Sequence, residues 1–299
     1  MSNTPHATTS SARPPLSPIF VLFVGVLATS TSAVLIRLAQ ADAPSSVIAA
    51  GRLTLATVII TPWTLAWRRQ ELEQLPLAGW REGILSGFML GLHFAAYISA
   101  LEYTSIAAAT VLATSTPIWV ALAAPLVLGE PLTQHLKIGI ALAVAGSVLI
   151  GTDGRTVGSN PLLGNLLALS SALTGAVYFL IGRRLRPNLS LLSYTSIVYG
   201  CAALTLISIA LAAGHALWGY SPTTMLLFLL MAIFPQLLGH SSYNYALAFL
   251  PAAYVSVAII SEPIGASLLG MLVFHEIPGM LTATGGALIL IGIFVSGRR

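Results

Sequence analysis

Glu262 is the residue best suited to chemistry in this sequence, because it is a carboxylate in the middle of an apolar stretch. It lies ten residues after the start and twelve before the end of the run 252–274. A charged carboxylate is costly to leave in hydrocarbon, and intramembrane acids commonly bind protons or cationic ligands. We therefore predict that Glu262 exchanges a proton or pairs with a substrate amine. A neutral carboxyl that fixes the local backbone is the alternative.

Two prolines interrupt apolar runs at matching places. Pro117 lies within the run 105–128, and Pro263 directly follows Glu262. Proline removes one helical hydrogen bond, so both helices should kink near the bilayer centre. The freed carbonyl groups could contact a substrate, but we favour the interpretation that the prolines shape a cavity and act as hinges.

Polar and aromatic side chains in other apolar runs could complete a binding cavity. His93 and Tyr97 are four residues apart and share a helix face, and His240 falls at a mirrored depth in a later run. We also predict contributions to substrate or proton binding from Thr31, Trp119, Thr174 and Tyr178. A structural role is the alternative for each, because small hydroxyl groups also join helices and single histidines are often satisfied core groups.

Charged residues near the predicted outer ends of their helices suggest a second polar site. Arg52 and Glu102 could pair there as an outer gate, together with Arg37. The alternative is a structural role, in which an arginine extends its charged end to the interface.

The signatures of several other chemistries are missing. His275 and Glu276 begin like a zinc motif, but no second histidine follows at the required spacing. No G-x-x-x-x-G-K-[ST] loop is present, which excludes a self-contained ATP-driven pump. No G-x-S-x-G or paired-aspartate signature supports an intramembrane hydrolase. We therefore expect no metal, no cofactor and no enzymatic activity.

The composition is that of a membrane protein. Hydrophobic residues make up 56% of the chain, charged residues 7%, and the mean hydropathy is +0.89. The net charge of +4 does not indicate a nucleic-acid partner, because the basic residues fall in short loops. Residues 1–17 are rich in Ser, Thr and Pro and predict a disordered cytoplasmic tail.

Ten apolar runs follow the tail, each long enough or nearly long enough to cross a bilayer. We place them at 19–39, 45–66, 83–101, 105–128, 136–152, 162–182, 190–212, 223–247, 252–274 and 278–296. With the N-terminus inside, ten of the thirteen Lys and Arg residues lie in inner segments. Both termini are therefore predicted to be cytoplasmic.

The second half of the chain repeats the first. Residues 97–151 align without gaps on 243–297, at an offset of 146, with 17 identities in 55 positions. Each half, 18–152 and 153–299, holds five spans, and an odd number makes the second half enter the membrane from the opposite side. The predicted fold is thus all-α, with ten transmembrane helices in two inverted five-helix repeats. This plan is typical of alternating-access transporters.

Three stretches carry a family resemblance: the helix 3 to 4 stretch ALEYTSIAAATVLATSTPIWVALAAPLVLGEPLT, its echo ALAFLPAAYVSVAIISEPIGASLLGMLVFHEIP, and AAGRLTLA around Arg52. They resemble the drug/metabolite transporter superfamily. Its ten-helix EamA-type members are the most similar. The resemblance covers nearly the whole chain after the tail. It implies a secondary transporter in the bacterial inner membrane that exports amino acids, related metabolites or drug-like compounds.

The leading hypothesis is a secondary-active exporter of small organic solutes that is driven by a proton gradient. An antiporter of phosphorylated or nucleotide-linked sugars is disfavoured, because phosphates require basic residues and the sequence places none at the midplane. An intramembrane hydrolase is an alternative from another class, and the inverted repeat argues against a channel. The recurring glycines of helices 5 and 10 leave a homodimer open.

Overall fold

The computed structural model describes residues 14–104, 106–151, 159–274 and 280–296, and these residues form helices and connecting turns without strands. Most of the predicted tail 1–17 lies outside this part of the chain. Ten long helices follow one another in the described residues. Six of them are continuous: helix 2 (Ser45–Trp67), helix 3 (Leu77–Tyr103), helix 5 (Gln134–Gly151), helix 6 (Pro161–Leu185), helix 7 (Leu191–Ala212) and helix 10 (Met280–Ser296). A short helix, Arg69–Glu73, joins helices 2 and 3.

The other four helices change geometry part-way. Helix 1 consists of Pro18–Ser30 and Ser32–Ala39, helix 4 of Ile106–Ala113 and Thr116–Val127, and helix 9 of Ala252–Ile259 and Glu262–Phe274. Helix 8 runs from Pro222 to Leu247 and contains a nine-residue π-helical segment, Ala232–His240.

Eight of the ten helices described are long and apolar enough to cross a membrane. Helices 5 and 10 have 18 and 17 residues and occupy the two remaining predicted positions. Large apolar side chains point away from the protein, such as Leu126, which is 87% exposed, and Leu162, which is 71% exposed. Such exposure fits a lipid environment and not water. The prediction of an all-α membrane protein is confirmed.

The helix contacts repeat under the inverted symmetry. Helix 3 packs on helix 6 as helix 8 packs on helix 1, and helix 3 meets helix 7 as helix 8 meets helix 2. Helices 4 and 6 pair as helices 9 and 1 do. The pairs 2 and 7, 4 and 9, and 5 and 10 each join an element to its own repeat mate. These self-paired contacts are what a pseudo-twofold axis between two five-helix repeats produces.

Small residues let helices 5 and 10 approach closely. A side chain added to Gly292 would place its Cβ 2.7 Å from the Gly139 carbonyl oxygen. The recurring glycines therefore serve a contact within one chain.

The breaks in helices 4 and 9 occupy equivalent positions of the repeat. Turn residues 114–115 separate the halves of helix 4, and residues 260–261, which lie 146 positions later, separate those of helix 9. A proline follows each break, Pro117 or Pro263, at the start of the second half, where it loses no helical bond. The kinks expected from these prolines are thus full interruptions.

Glu71, in the short helix between helices 2 and 3, caps the start of helix 7. Its carboxylate accepts hydrogen bonds from the Ser190 amide at 2.6 Å and the Ser193 hydroxyl at 2.7 Å. Partial burial alone would raise the pKa of Glu71, but the hydrogen bonds from Ser190 and Ser193 outweigh it and lower that pKa below its usual value.

A lowered pKa makes this cap depend on pH with a definite sign. The stabilisation is complete above the unfolded-state pKa of about 4.3 and is lost as pH falls through the lower folded-state value. We expect Glu71→Gln to lower the free energy of unfolding by about 1 kcal/mol at pH 7. Wild type and variant should converge in thermal unfolding measured in detergent once the pH falls below the lowered folded-state pKa of Glu71.

Glu73→Gln is the matched control for the Glu71 prediction. Glu73 lies on the same short helix, but its side chain is 57% exposed and pairs with the exposed Arg69. An exposed pair contributes little, so this variant should match wild type throughout the titration. A Glu71→Gln deficit that is independent of pH would contradict the assignment of the cap to the ionised carboxylate.

Candidate functional site

The interrupted helices surround a central cavity that is partly open to solvent. Residues next to all three breaks line it: Thr29 and Ser32 of helix 1, Thr114 and Thr116 of helix 4, and Ile259 and Glu262 of helix 9. Helices 2, 3, 6 and 8 complete the wall with Arg52, His93, Phe94, Tyr97, Gly175, Tyr178, Phe179, His240 and Tyr243. The mixed apolar and polar lining is that of a small-molecule site.

Glu262 opens the second half of helix 9 within this cavity. A helix N-terminus carries partial positive charge, so it favours a carboxylate in its first turn. The Tyr243 hydroxyl donates a hydrogen bond of 2.6 Å to Oε1 of Glu262, and the Thr29 hydroxyl in turn contacts that of Tyr243. Three helices, 1, 8 and 9, therefore hold one carboxylate at the cavity wall.

Arg52 supplies a buried positive charge to the same cavity. It is 1% exposed, its Nε donates to Gln236 at 2.9 Å, and one terminal nitrogen donates to Ser32 at 2.9 Å. Its guanidinium also lies over the Phe94 ring, 4.2 Å from the centroid. These contacts fix the side chain from three sides and leave its Nη2 atom without a hydrogen-bond partner.

Rings from helices 3 and 8 form a continuous aromatic wall. The His240 ring lies 5.0 Å from the Phe94 ring and 6.2 Å from the His93 ring, centroid to centroid. His93 is oriented by helix 6, because its Nδ1 atom lies 2.9 Å from the Ser171 carbonyl oxygen. A side chain at Gly175 would meet that nitrogen at 3.0 Å, so the glycine makes room for the histidine.

A chain of hydrogen bonds extends from the cavity into helices 7 and 8. The Tyr178 hydroxyl donates to the Asn244 side chain at 2.5 Å, whose amide donates to the Tyr199 hydroxyl at 3.4 Å. Tyr199 reaches the Ser241 hydroxyl at 3.0 Å. This network joins the cavity residue Tyr178 to helices 7 and 8 of the second repeat.

A family model for EamA-like transporters matches residues 16–152 and again residues 162–298. The chain belongs to the EamA-like transporter family. The two matches correspond to the two repeats of the fold, and the chain is therefore a multi-pass membrane transporter.

Curated relatives of this EamA-like transporter carry related names. An uncharacterized transporter of Archaeoglobus fulgidus is 25% identical over 251 residues, which cover 83% of this chain and 86% of that protein. The threonine/homoserine exporter RhtA of Escherichia coli K12 is 28% identical over 266 residues, 87% of this chain and 84% of that protein. A probable terminal-alkyne amino-acid exporter of Streptantibioticus cattleyicolor is 25% identical over 83% of this chain and 82% of its own length.

One solved crystal structure shares the fold. It superposes with a TM-score of 0.74 at 23% sequence identity, and the match covers 94% of this chain and 96% of that one.

The EamA-like transporter places six of the predicted site residues together on the cavity wall: Arg52, His93, Tyr97, Tyr178, His240 and Glu262. Thr31 is absent from the lining, because it lies about 200° around helix 1 from Thr29. Thr174 bonds back to the Ser170 and Ser171 carbonyl groups of its own helix. Trp119 packs half-buried against the core, and Pro117 and Pro263 are buried beside the breaks.

The predicted outer gate is not formed by Arg52 and Glu102. Glu102 is exposed and accepts a hydrogen bond of 3.2 Å from the Ser45 amide at the start of helix 2. Arg37 instead donates to the Thr104 carbonyl group. Arg52 turns inward because Ser32, Gln236 and Phe94 supply acceptors and a ring face for its guanidinium. The argument that the cavity lacks a basic residue was therefore wrong.

Tyr243 and Phe94 are cavity residues that sequence reasoning missed. Tyr243 occupies the repeat position of Tyr97, so the alignment that paired them could have identified it. Phe94 gave no signal, because a phenylalanine in an apolar helix is ordinary. Among the described residues, no three His, Cys, Asp or Glu side chains come together as metal ligands.

Proposed function

We propose that this chain is a secondary-active exporter of small organic solutes, amino acids and their relatives above all, that exchanges a proton at Glu262. The observation that supports this most is the position of Glu262 at the start of a half-helix in a cavity bounded by three helix interruptions. Discontinuous helices at a central site are the common plan of transporters with inverted repeats.

The coupling mechanism we propose is competition at one carboxylate. Either a proton or the ammonium group of a substrate neutralises Glu262, because an unpaired charge is costly at this depth. Binding of the amine from the cytoplasmic side releases the proton there, and a proton from outside displaces the amine on the outer side. One substrate molecule leaves for each proton that enters, and the two cross the membrane on opposite halves of the cycle.

Alternating access would arise from rocking of the two repeats. Pro117 and Pro263 follow the breaks in helices 4 and 9, and we propose that these breaks act as hinges. On the predicted cytoplasmic side, Arg183 binds Glu130 at 2.6 Å and also donates to the Leu247 carbonyl group at 3.0 Å. This cluster joins the C-terminal ends of helices 4, 6 and 8, so it would have to open when the cavity faces the cytoplasm.

The substrate class rests on the relatives and on the charge of the cavity. Two relatives are named as amino-acid exporters, one of them for threonine and homoserine. Arg52 and Glu262 give the cavity one charge of each sign. A neutral zwitterion matches that balance, whereas a dianionic phosphate does not.

We further propose that the protein lies in a bacterial inner membrane with both termini in the cytoplasm. The excess of Lys and Arg in the loops assigned to the inner side supports this orientation.

One observation favours the alternative of a sugar-phosphate antiporter: Arg52 places a basic residue in the cavity.

One transport experiment decides between the two functions. Purified protein is reconstituted into liposomes with an acidic lumen, and uptake of labelled threonine, homoserine and glucose 6-phosphate is followed with and without the pH gradient. Gradient-dependent accumulation of an amino acid supports the proposal. Gradient-independent exchange of glucose 6-phosphate for phosphate would replace it with the antiporter.

Tyr243→Phe tests the hydrogen bond to Glu262. A bond to a charged group is worth about 1.5–3 kcal/mol, so we expect gradient-driven uptake to fall by about tenfold or more. Tyr97→Phe is the repeat-matched control, because the Tyr97 hydroxyl lies 3.4 Å from the Thr110 hydroxyl and has no other hydrogen-bond partner among the described residues. Gradient-driven uptake by Tyr97→Phe should fall by less than about threefold, since such a long hydrogen bond is weak. Equal losses in both variants would show that the Glu262 contact has no special role.

A further inference from the structure

Arg52 is an enclosed cation with an unused hydrogen-bond donor. It is 1% exposed, and Nη2 is buried without a hydrogen-bond partner. Leaving a buried donor unpaired is costly, and more so when the group is charged. A binding partner that is absent from the protein itself would remove that cost.

The surroundings of Arg52 indicate the chemistry of that partner. Two further buried nitrogens nearby lack partners, Nε2 of Gln236, whose other amide atom binds Arg52, and Nδ1 of His240 on the cavity wall. Arginine and amide nitrogens donate hydrogen bonds, so the missing partner is an acceptor and preferably an anion. A carboxylate fits best, because the planar guanidinium binds it through charge-assisted hydrogen bonds.

The unused donor is already held in place. Gln236 and Ser32 take two of the other guanidinium nitrogens, and the Phe94 ring covers one face. Ligand binding would therefore cost little side-chain entropy at Arg52.

Glu262 supplies the complementary charge on the same cavity. No salt bridge joins Arg52 to Glu262 in the part of the chain that the structure describes, so the two charges are separate and each can face a ligand group. We propose that Arg52 binds the carboxylate of the substrate through Nη2 while Glu262 receives its ammonium group, which makes the site selective for α-amino acids over amines. This assignment rests on the proposed export function and names the residue that binds the carboxylate of the substrate.

The test compares threonine with threoninol, in which a hydroxymethyl group replaces the carboxylate. Proteoliposomes loaded with unlabelled threonine take up labelled threonine by counterflow, without a pH gradient, and each compound is added outside as a competitor. In wild type we expect threoninol to require on the order of tenfold higher concentration than threonine for equal inhibition. In Arg52→Gln, the concentration of threonine needed for equal inhibition should rise on the order of tenfold, and the difference between threonine and threoninol should vanish.

Arg37→Gln is the matched control. Arg37 is another arginine with a buried nitrogen that lacks a partner among the described residues, but it lies outside the cavity lining. It should keep the wild-type ratio of threonine to threoninol. Arg52→Lys keeps the charge and loses the planar fork, so it should retain a smaller preference for threonine.

The assignment is overturned if threoninol competes as well as threonine in wild type, or if folded Arg52→Gln keeps the wild-type ratio. The wild-type comparison needs no variant, so it decides the matter even if Arg52→Gln does not fold.

Thermal unfolding of the purified wild type with each compound separates this assignment from the export function. Stabilisation by threonine and not by threoninol, without any transport, supports the carboxylate site and contradicts export. Transport of threoninol as fast as threonine supports export and overturns the carboxylate site. A protein that neither binds nor moves threonine overturns both.

Discussion

Glu262→Gln should abolish accumulation driven by a pH gradient while it leaves exchange of solute across the membrane measurable. Glutamine keeps the size and the hydrogen bond from Tyr243 but can neither release nor take up a proton. Without that step the gradient does no work on the solute. We expect gradient-driven uptake of threonine to fall to the level of a vesicle without a gradient, a loss of about tenfold or more.

Glu82→Gln is the control for the Glu262 prediction. Glu82 is a carboxylate of helix 3 that pairs with Arg184 at 3.4 Å, outside the cavity, and its replacement should leave both modes unchanged. If Glu262→Gln accumulates threonine as wild type does, the carboxyl group is structural. Exchange should weaken as well, because Glu262 also receives the substrate ammonium group in the proposed mechanism, and complete loss of exchange would show that this contact is required for binding.

Gly265→Ala should destabilise the protein and inactivate it, although it adds only one methyl group. Gly265 lies three residues after Glu262, and a Cβ there would come within 2.6 Å of the Ser30 Cβ atom on helix 1. No side-chain rotation moves a Cβ, so the second half of helix 9 must shift away from helix 1 and carry Glu262 with it. We expect a cost of about 1–3 kcal/mol in the free energy of unfolding and loss of gradient-driven uptake.

Gly200→Ala is the matched helix-to-helix comparison. Gly200 lies in helix 7, and its added Cβ would meet only Thr57, at an ordinary 3.7 Å. Unfolding of this variant should be equal to wild type or slightly more stable, because alanine favours helix. A Gly265→Ala protein with wild-type melting and uptake would show that helices 1 and 9 are not held as closely as described.

The sequence by itself was enough for the architecture. Apolar runs of about 20 residues, the repeat at an offset of 146 and the odd number of spans in each half predicted an inverted helical membrane protein, and the fold is of that class. These properties are readable because hydrophobic length and periodicity are summed over many residues. The position of Glu262 was readable for a similar reason, since one carboxylate stands out in an apolar run.

The arrangement of the cavity was decided by tertiary packing. Arg52 sits seven residues into helix 2, and its distance along that helix suggested the outer face. Its direction depends on Ser32 of helix 1, Phe94 of helix 3 and Gln236 of helix 8, which meet it only in the folded bundle. Thr29 and Ser32 line the cavity while Thr31 between them does not. Depth along a helix can be read from a single chain, but the face a side chain presents depends on neighbours that are distant in sequence.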